Sequence, residues 1–346
     1  MSALGSNVTH RRHTRYWLLA LVAVVVVVPA AVAAYLIDRD PTEPTVVPFA
    51  MGADGAVVDL GTLATQPGVA TDISDAGTVV GYYFPEAGGV AHAFVSRSQN
   101  TTDLGASRAA VAVNDAGQVV VTDFEPTLSG WHPAIWQDGS AQELTSDLGP
   151  LYRASDIDRD GRVAGEILSA PTVYTWPMED NYNPKVTIGV IWEDGRATVL
   201  ETADAIITRP VCIDDSGAVL GQGRVKGSLA DRTLVWREGT ITDLGECGAV
   251  AMNDLGQIVL RKMEGVDEWV DVAYIWSQGH SIPVKDARGT AMLAYDINDS
   301  GLVAGQVDDK AAFWQNGRLT MLDLHSKNSW VQAVNDAGVI VGARQK

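Results

Sequence analysis

The chain is poor in cysteine, with two in 346 residues, and poor in basic side chains, with 25 Lys+Arg against 43 Asp+Glu. Two thiols can build neither a disulfide scaffold nor a four-thiolate zinc site. A net charge of −18 argues against a nucleic-acid partner, because phosphate binding needs a basic footprint. No G-x-S-x-G elbow and no phosphate-cradling glycine loop occurs. His92, His132, His280 and His325 are scattered without metal-ligand spacing. Phenylalanine is rare, at 5, beside 10 Trp, 9 Tyr and 34 Gly; that balance reads as many turns, each carrying one large side chain. With no catalytic constellation in view, no catalytic residue is assigned.

Long apolar runs are absent too, with one exception. Tyr16 to Leu36 contains no charge and follows Arg11, Arg12 and Arg15. About 20 apolar residues span a bilayer as a helix, and flanking arginines hold the N-terminus inside. A cleaved signal competes with this anchor: Pro29 breaks the run, and Ala31-Val32-Ala33 forms a small-residue cleavage site. On either reading the remainder is extracytoplasmic. The expected organisation is a basic cytoplasmic segment at 1–15, an anchor or signal at 16–37, a Pro-rich tether at 38–48 and one folded unit at 49–346. Without the first 40 residues the net charge becomes −20, which favours solubility and cationic partners.

An internal repeat dominates what is present. Seven segments place an apolar residue, two polar turn residues, one free position and glycine before an apolar run. They end at Gly77, Gly117, Gly161, Gly217, Gly256, Gly301 and Gly338, spaced 40, 44, 56, 39, 45 and 37 residues apart. Asn and Asp hydrogen-bond their own backbone while Gly supplies positive φ, so each run is a hairpin tip. A second hairpin alternates with the first, with tips at Trp136-Gln-Asp-Gly139, Trp192-Glu-Asp-Gly195, Trp236-Arg-Glu-Gly239, Trp276-Ser-Gln-Gly279 and Trp314-Gln-Asn-Gly317. Ala93-Phe94-Val95 is a degenerate copy, and Phe49 to Gly55 opens the series. Seven hairpins of each kind predict about 28 strands at about four per 43 residues, the dimensions of an all-β, seven-bladed propeller. The first element is of one kind and the last of the other, so joining them in one sheet would close the ring. Contiguous blades and an open solenoid are the alternatives. The hairpin tryptophans read as core between blades, and both kinds of tip are expected on one face.

The period, the I-N-D-x-G-x-V-x-G runs, the A-F-x-W-x-x-G hairpins and the D-L-G endings at Asp103–Gly105 and Asp243–Gly245 resemble the HAF-repeat family of probable extracellular repeat proteins. His92-Ala93-Phe94 spells the name-giving triplet. The resemblance covers Phe49 to Gly342 and implies a bacterial surface or secreted β-propeller-like protein; it implies no activity and no catalytic residues. Only one copy here has the full triplet, and Val95 stands where the pattern has Trp.

Function is expected on the connectors, whose length varies while the tips stay constant. The longest, between Gly165 and Ile191, carries Tyr174, Trp176, Glu179, Asp180 and Tyr182, and a second, Arg261 to Asp271, carries Trp269. Aromatic faces beside carboxylates suit a surface glycan or a protein ligand; a self-contained loop packed on the rim explains them equally. Asp156, Asp158 and Asp160 before Gly161 spell the opening of a calcium loop, although Ala164 and Ile167 stand where later ligands belong. Capped hairpin tips account for the same pattern, since Asp72 and Asp296 occupy the equivalent column and read as turn residues. Cys212 and Cys247 lie in successive repeats of an exported chain, which permits a disulfide; their four-column offset opposes it. The sequence thus points to a non-catalytic binding or interaction module for a surface glycan or protein, attached to the membrane through its N-terminal helix. An extracellular carbohydrate-active enzyme using channel carboxylates is the alternative.

Overall fold

Each of the seven Asn/Asp-rich runs folds as a hairpin tip. Gly77 N donates to Ser74 O at 2.9 Å and Ser74 N to Thr78 O at 3.0 Å, and the same two bonds recur at every tip through Asn335 and Gly338. Gly77 stands at φ +78°, where any side chain would strain the backbone. In the computed structural model, which describes residues 45–346 except 53, 59, 61–62, 64–65, 87–88, 99, 124–131, 170–185 and 265–269, these tips belong to seven antiparallel sheets. The inner strands are Gly68–Ile73, Arg108–Val113, Gly149–Ile157, Ala205–Ile213, Gly248–Met252, Leu293–Ile297 and Ser329–Val334, which number blades 1 to 7. Twenty-eight strands form the blades, and a two-residue strand, Thr145–Ser146, extends blade 3. The fold is an all-β, seven-bladed propeller.

Six blades are contiguous in the chain. Blade 7 takes Ser329–Val334 and Ile340–Gln345 from one end of the chain and Val46–Met51 and Val57–Val58 from the other. Val46 lies opposite Gln345 and Met51 opposite Ile340, so the mismatched ends of the repeat pattern do close the ring. Val46 to Pro48, read as tether from sequence, are already strand. Pro48 is tolerated because the outer strand pairs only with Ala50 and Met51, which leaves its missing N–H without a partner to disappoint.

A β-bulge interrupts every inner strand at one level, between Ala70 and Asp72 in blade 1 and between Val331 and Ala333 in blade 7. Beside the bulge, an inner-strand carbonyl closes on the neighbouring strand where that strand carries glycine. A Cβ at Gly305 would stand 2.0 Å from Leu293 O, and one at Gly342 would stand 2.0 Å from Trp330 O. That explains the glycine ending most of the apolar runs; Val121 and Leu260 hold the place in blades 2 and 5.

The core lies between blades. One cluster gathers Leu144, Leu151, Ile167, Val190, Trp192 and Ile206 from blade 3 and its neighbours. Trp192 and Trp314 are 5% exposed, and their Nε1 atoms donate to Thr145 O at 2.7 Å and Lys285 O at 3.0 Å. Trp136, Trp236 and Trp276 are partly buried against the clusters of their own blades, so the hairpin tryptophans pack on the core as expected. On the outer strands, His92 Nδ1 meets Asp103 Oδ2 at 2.7 Å while Gly105 N donates to Asp103 Oδ1. Arg232 and Asp243 repeat the arrangement in blade 4, so the triplet and the D-L-G ending are two halves of one cross-strand pair.

Both kinds of tip lie at the same end of each blade, as expected: Val163 beside the inner tip pairs with Trp192 beside the outer one, and Val119 pairs with Trp136 in the same way. The inner tips converge, but the outer tip of blade 3 reaches the connector that enters its own blade: Asp147 N donates to Gly195 O at 3.2 Å and Ala197 N to Asp147 Oδ1 at 3.1 Å. Strand-to-strand twist accumulates across a blade and swings the outer hairpin away from the axis.

Candidate functional site

The seven inner tips surround an axial pocket of about 190 Å³. Its wall is built in three levels, each from one column of the repeat. At the rim stand Asp75, Asp115, Arg159, Asp215, Asp254, Asp299 and Asp336. Successive blades are tied there by backbone N–H groups donating to carboxylates: Asp336 N to Asp75 Oδ1 at 2.7 Å, Ala76 N to Asp115 Oδ1 at 2.8 Å, and Arg159 N to Asp215 Oδ1 at 3.1 Å. Asp215, Asp254 and Asp299 donate in turn to Asp254, Asp299 and Asp336. The circle lacks a link between Asp115 and Arg159, because arginine has no acceptor to offer.

One residue earlier lies a ring of latches. Asn114, Asn253, Asn298 and Asn335 each donate from Nδ2 to a carbonyl of the next blade, at 2.8 to 3.0 Å. Asp158 and Asp214 occupy this column in blades 3 and 4 and have no N–H to give. Arg162 compensates in blade 3, donating from Nε to Asp158 Oδ2 at 2.6 Å and from Nη2 to Asp215 O at 3.3 Å. In blade 4, Arg237 Nη2 donates to Asp214 Oδ2 at 3.3 Å.

The deepest level solves a counting problem. Seven inner strands each turn one backbone N–H toward the axis beside the bulge. Asp72 accepts from Ile73 N and from Val113 N of the next blade, both at 2.8 Å. Asp156 does the same for Ile157 and Ile213, and Asp296 for Ile297 and Val334. Three aspartates thus serve six donors, with alanines at 112, 251 and 333 between them. The seventh donor, Met252 N, is taken by the Cys212 sulfur. Asp72, Asp156 and Asp296 are therefore blade couplers on the inner strands rather than turn residues; the alternation of Asp and Ala in this column was the signal available in the sequence.

Asp72 and Asp156 line the pocket, all three carboxylates are half-buried, and burial raises their pKa despite two N–H donors each. Asp72 rises to about 6 and Asp296 to about 7, and Asp156 lies well above the carboxylate range, each also feeling like charge from other aspartates at the axis. At the rim, burial and neighbouring aspartates raise Asp254 to about 6 and push Asp75 and Asp299 upward. Burial, followed by Asp156 and Asp296, pushes the Cys212 thiol up.

Tyr174, Trp176, Glu179, Asp180, Tyr182 and Trp269 lie outside the described residues. The strand ends flanking their connectors, Ser169 with Val186 and Glu264 with Val270, are paired across second and third strands of blades 3 and 5. Both therefore lie at the ends remote from the inner tips. Asp156, Asp158 and Asp160 do not face a common point: the first serves two backbone N–H groups, the second Arg162, and Asp160 reaches Arg162 Nη2 at 3.5 Å. Among the described residues no three His, Cys, Asp or Glu side chains are placed to hold a metal ion. Cys212 and Cys247 are free thiols; the first faces the axis, and the second has its Sγ 3.7 Å from Leu244 O and Gly245 O.

No family model matches the chain, and no curated protein matches it. Solved structures share the fold. The β-propeller domain of the Trilobed protease from Pyrococcus furiosus, which has an open velcro topology, superposes with a TM-score of 0.52 at 14% identity, covering 78% of this chain and 85% of that one. The acylaminoacyl peptidase of Pyrococcus horikoshii gives 0.52 at 11% identity over 80% of this chain and 49% of its own. At such identities the likeness shows a propeller and nothing of chemistry.

Proposed function

We propose that the chain is a non-catalytic binding or interaction module of the cell surface, in keeping with the HAF-type repeats, and that its ligand is a surface glycan or a protein. The observation that carries this reading is the employment of the axial carboxylates. Asp72, Asp156 and Asp296 each hold two backbone N–H groups, and the rim aspartates hold the next blade. A glycosidase pair needs one carboxyl free to give a proton and another free to attack or activate water. Here the ring spends its carboxylates on coupling blades, while the variable connectors sit at the other end of a rigid scaffold.

The test is retention of the chain from Pro41 onward on cell-wall preparations and a glycan panel, alongside Trp176→Ala and Asp296→Asn. Retention lost with Trp176→Ala and kept with Asp296→Asn supports a binding face on the connectors. Turnover of a glycan that Asp296→Asn abolishes would establish the enzyme instead.

A further inference from the structure

At one place the ring is closed by hydrogen bonds alone. In blades 1 to 6 the second strand runs on through a connector into the third. In blade 7 no peptide link joins Ile340–Gln345 to Val46–Met51; the two pair through their backbones, and Lys346 N donates to Thr45 O at 2.8 Å. The closing hairpin, residues 329–345, is therefore reached from the other blades through one connector, 322–328. His325 in that connector is exposed and holds φ +49°, a left-handed backbone that an opening hinge is able to leave.

The same hairpin gathers polar atoms that its docked position leaves unserved. Among the described residues, seven buried side-chain N or O atoms make no hydrogen bond. Four of them lie on this hairpin or on the blade 6 strand packed against it: Oε1 and Nε2 of Gln332, Nε of Arg344 and Oε1 of Gln306. Ala311, the cross-strand neighbour of Gln306, donates to Ser329 Oγ of the hairpin at 2.8 Å. Gln332 is the bulge residue of its strand. In that column Thr71 and Ser155 donate to carbonyls of the next blade at 2.9 and 2.8 Å, and Val111, Val211 and Val250 have nothing to satisfy. Gln332 is 3% exposed and bonds with neither end of its amide. Undocking hydrates all four atoms, so each of them favours the open hairpin.

We propose that the closing hairpin is a strap: it undocks as one unit about the 322–328 connector and opens the ring sideways, while the six contiguous blades stay folded. Undocking uncovers the backbone edge of Val46–Met51. It also opens one side of the axial pocket, which Val334, Asn335 and Asp336 line.

Native-state hydrogen exchange of the full chain tests it. The amides of 330–334 and 340–344 are compared with the matching strands of blade 6, Leu293–Ile297 and Val303–Val307. Exchange should be about tenfold faster or more across the closing hairpin, and uniform over both of its strands. Gln332→Val installs the residue that three other blades carry in this column. It should slow both strands together by about tenfold, because removing a stranded amide favours the docked form. Protection that declines steadily toward Lys346 is fraying of an end and overturns the single unit. Protection equal to that of blade 6, or exchange in 340–344 that Gln332→Val leaves unchanged, overturns the strap.

Discussion

Blades 3 and 6 turn the same hairpin with different latches. In blade 6, Asn298 accepts from Leu302 N and Ser300 Oγ and donates to Asn335 O. One neutral amide caps its own turn and crosses to the next blade. In blade 3, Asp158 accepts from Asp160 N and Arg162 N, but crossing requires the Arg162 guanidinium. The Asp158 side chain is fully buried and Arg162 is 22% exposed. Caps need only an acceptor, so Asp and Asn are interchangeable within the turn; the inter-blade bond needs a donor, so they are not interchangeable in the ring. A charged latch also brings a desolvation penalty that an amide avoids.

The largest effect should come from removing the cation alone. Arg162→Met leaves a buried carboxylate unpaired and should cost about 3–5 kcal/mol in urea unfolding. Adding Asp158→Asn converts the blade to the neutral design and should recover most of that loss. A double variant no more stable than Arg162→Met would break the comparison. Next, Asn298→Ala strands Leu302 N and removes the inter-blade donor to Asn335 O, which keeps only the Gly338 N–H of its own tip, and should cost about 1–3 kcal/mol. Asn298→Asp should cost a similar amount despite keeping both caps, because Leu302 supplies no cation where blade 3 has Arg162.

The aspartates below the latches should give a pH signature. Their folded pKa values, about 6 for Asp72 and about 7 for Asp296, exceed the unfolded value of about 4. Between those limits the folded state binds more protons, so their stabilising contribution is present in acid and lost as pH climbs through about 7. The urea midpoint is expected to fall from pH 5 to pH 8, with a shallower fall in Asp296→Asn. Smallest of all is Arg159→Asn. The new amide oxygen can accept from Asp115 N and complete the rim, while the exposed Arg159–Asp215 pair at 3.5 Å is lost. A change within about 1 kcal/mol is expected in thermal unfolding.

Blade number, ring closure and the core role of the tryptophans were legible because each follows from local patterns repeated seven times. Turn chemistry at Gly77 or Gly338 depends on neighbours within four residues. The axial wiring was not legible in that way. Asp72 accepts from Val113 N of the next blade and Asp75 accepts from Asp336 N across the closing seam, contacts that exist only once blades have packed side by side. Aligning the columns shows Asp and Ala alternating, but not that seven donors are being divided among bidentate acceptors. Twist hid the lateral contacts of the outer tips, since alternation along the chain carries no record of how far a blade rotates between its first and fourth strands. The ligand face is legible only as composition: Trp176 and its neighbours have no copies elsewhere in the repeat to calibrate them.

The bond from Lys346 to Thr45 also means that the ring has no privileged first blade. A short linker across that seam would be one more connector among seven, and the chain could be reopened at another, such as the turn around Leu229. Such circular permutants should fold to the same propeller, because breaks are best tolerated at exposed turns where few contacts cross. They would move the point at which the chain enters the propeller from blade to blade without touching the axis, turning the placement of the seam into something that can be varied at will.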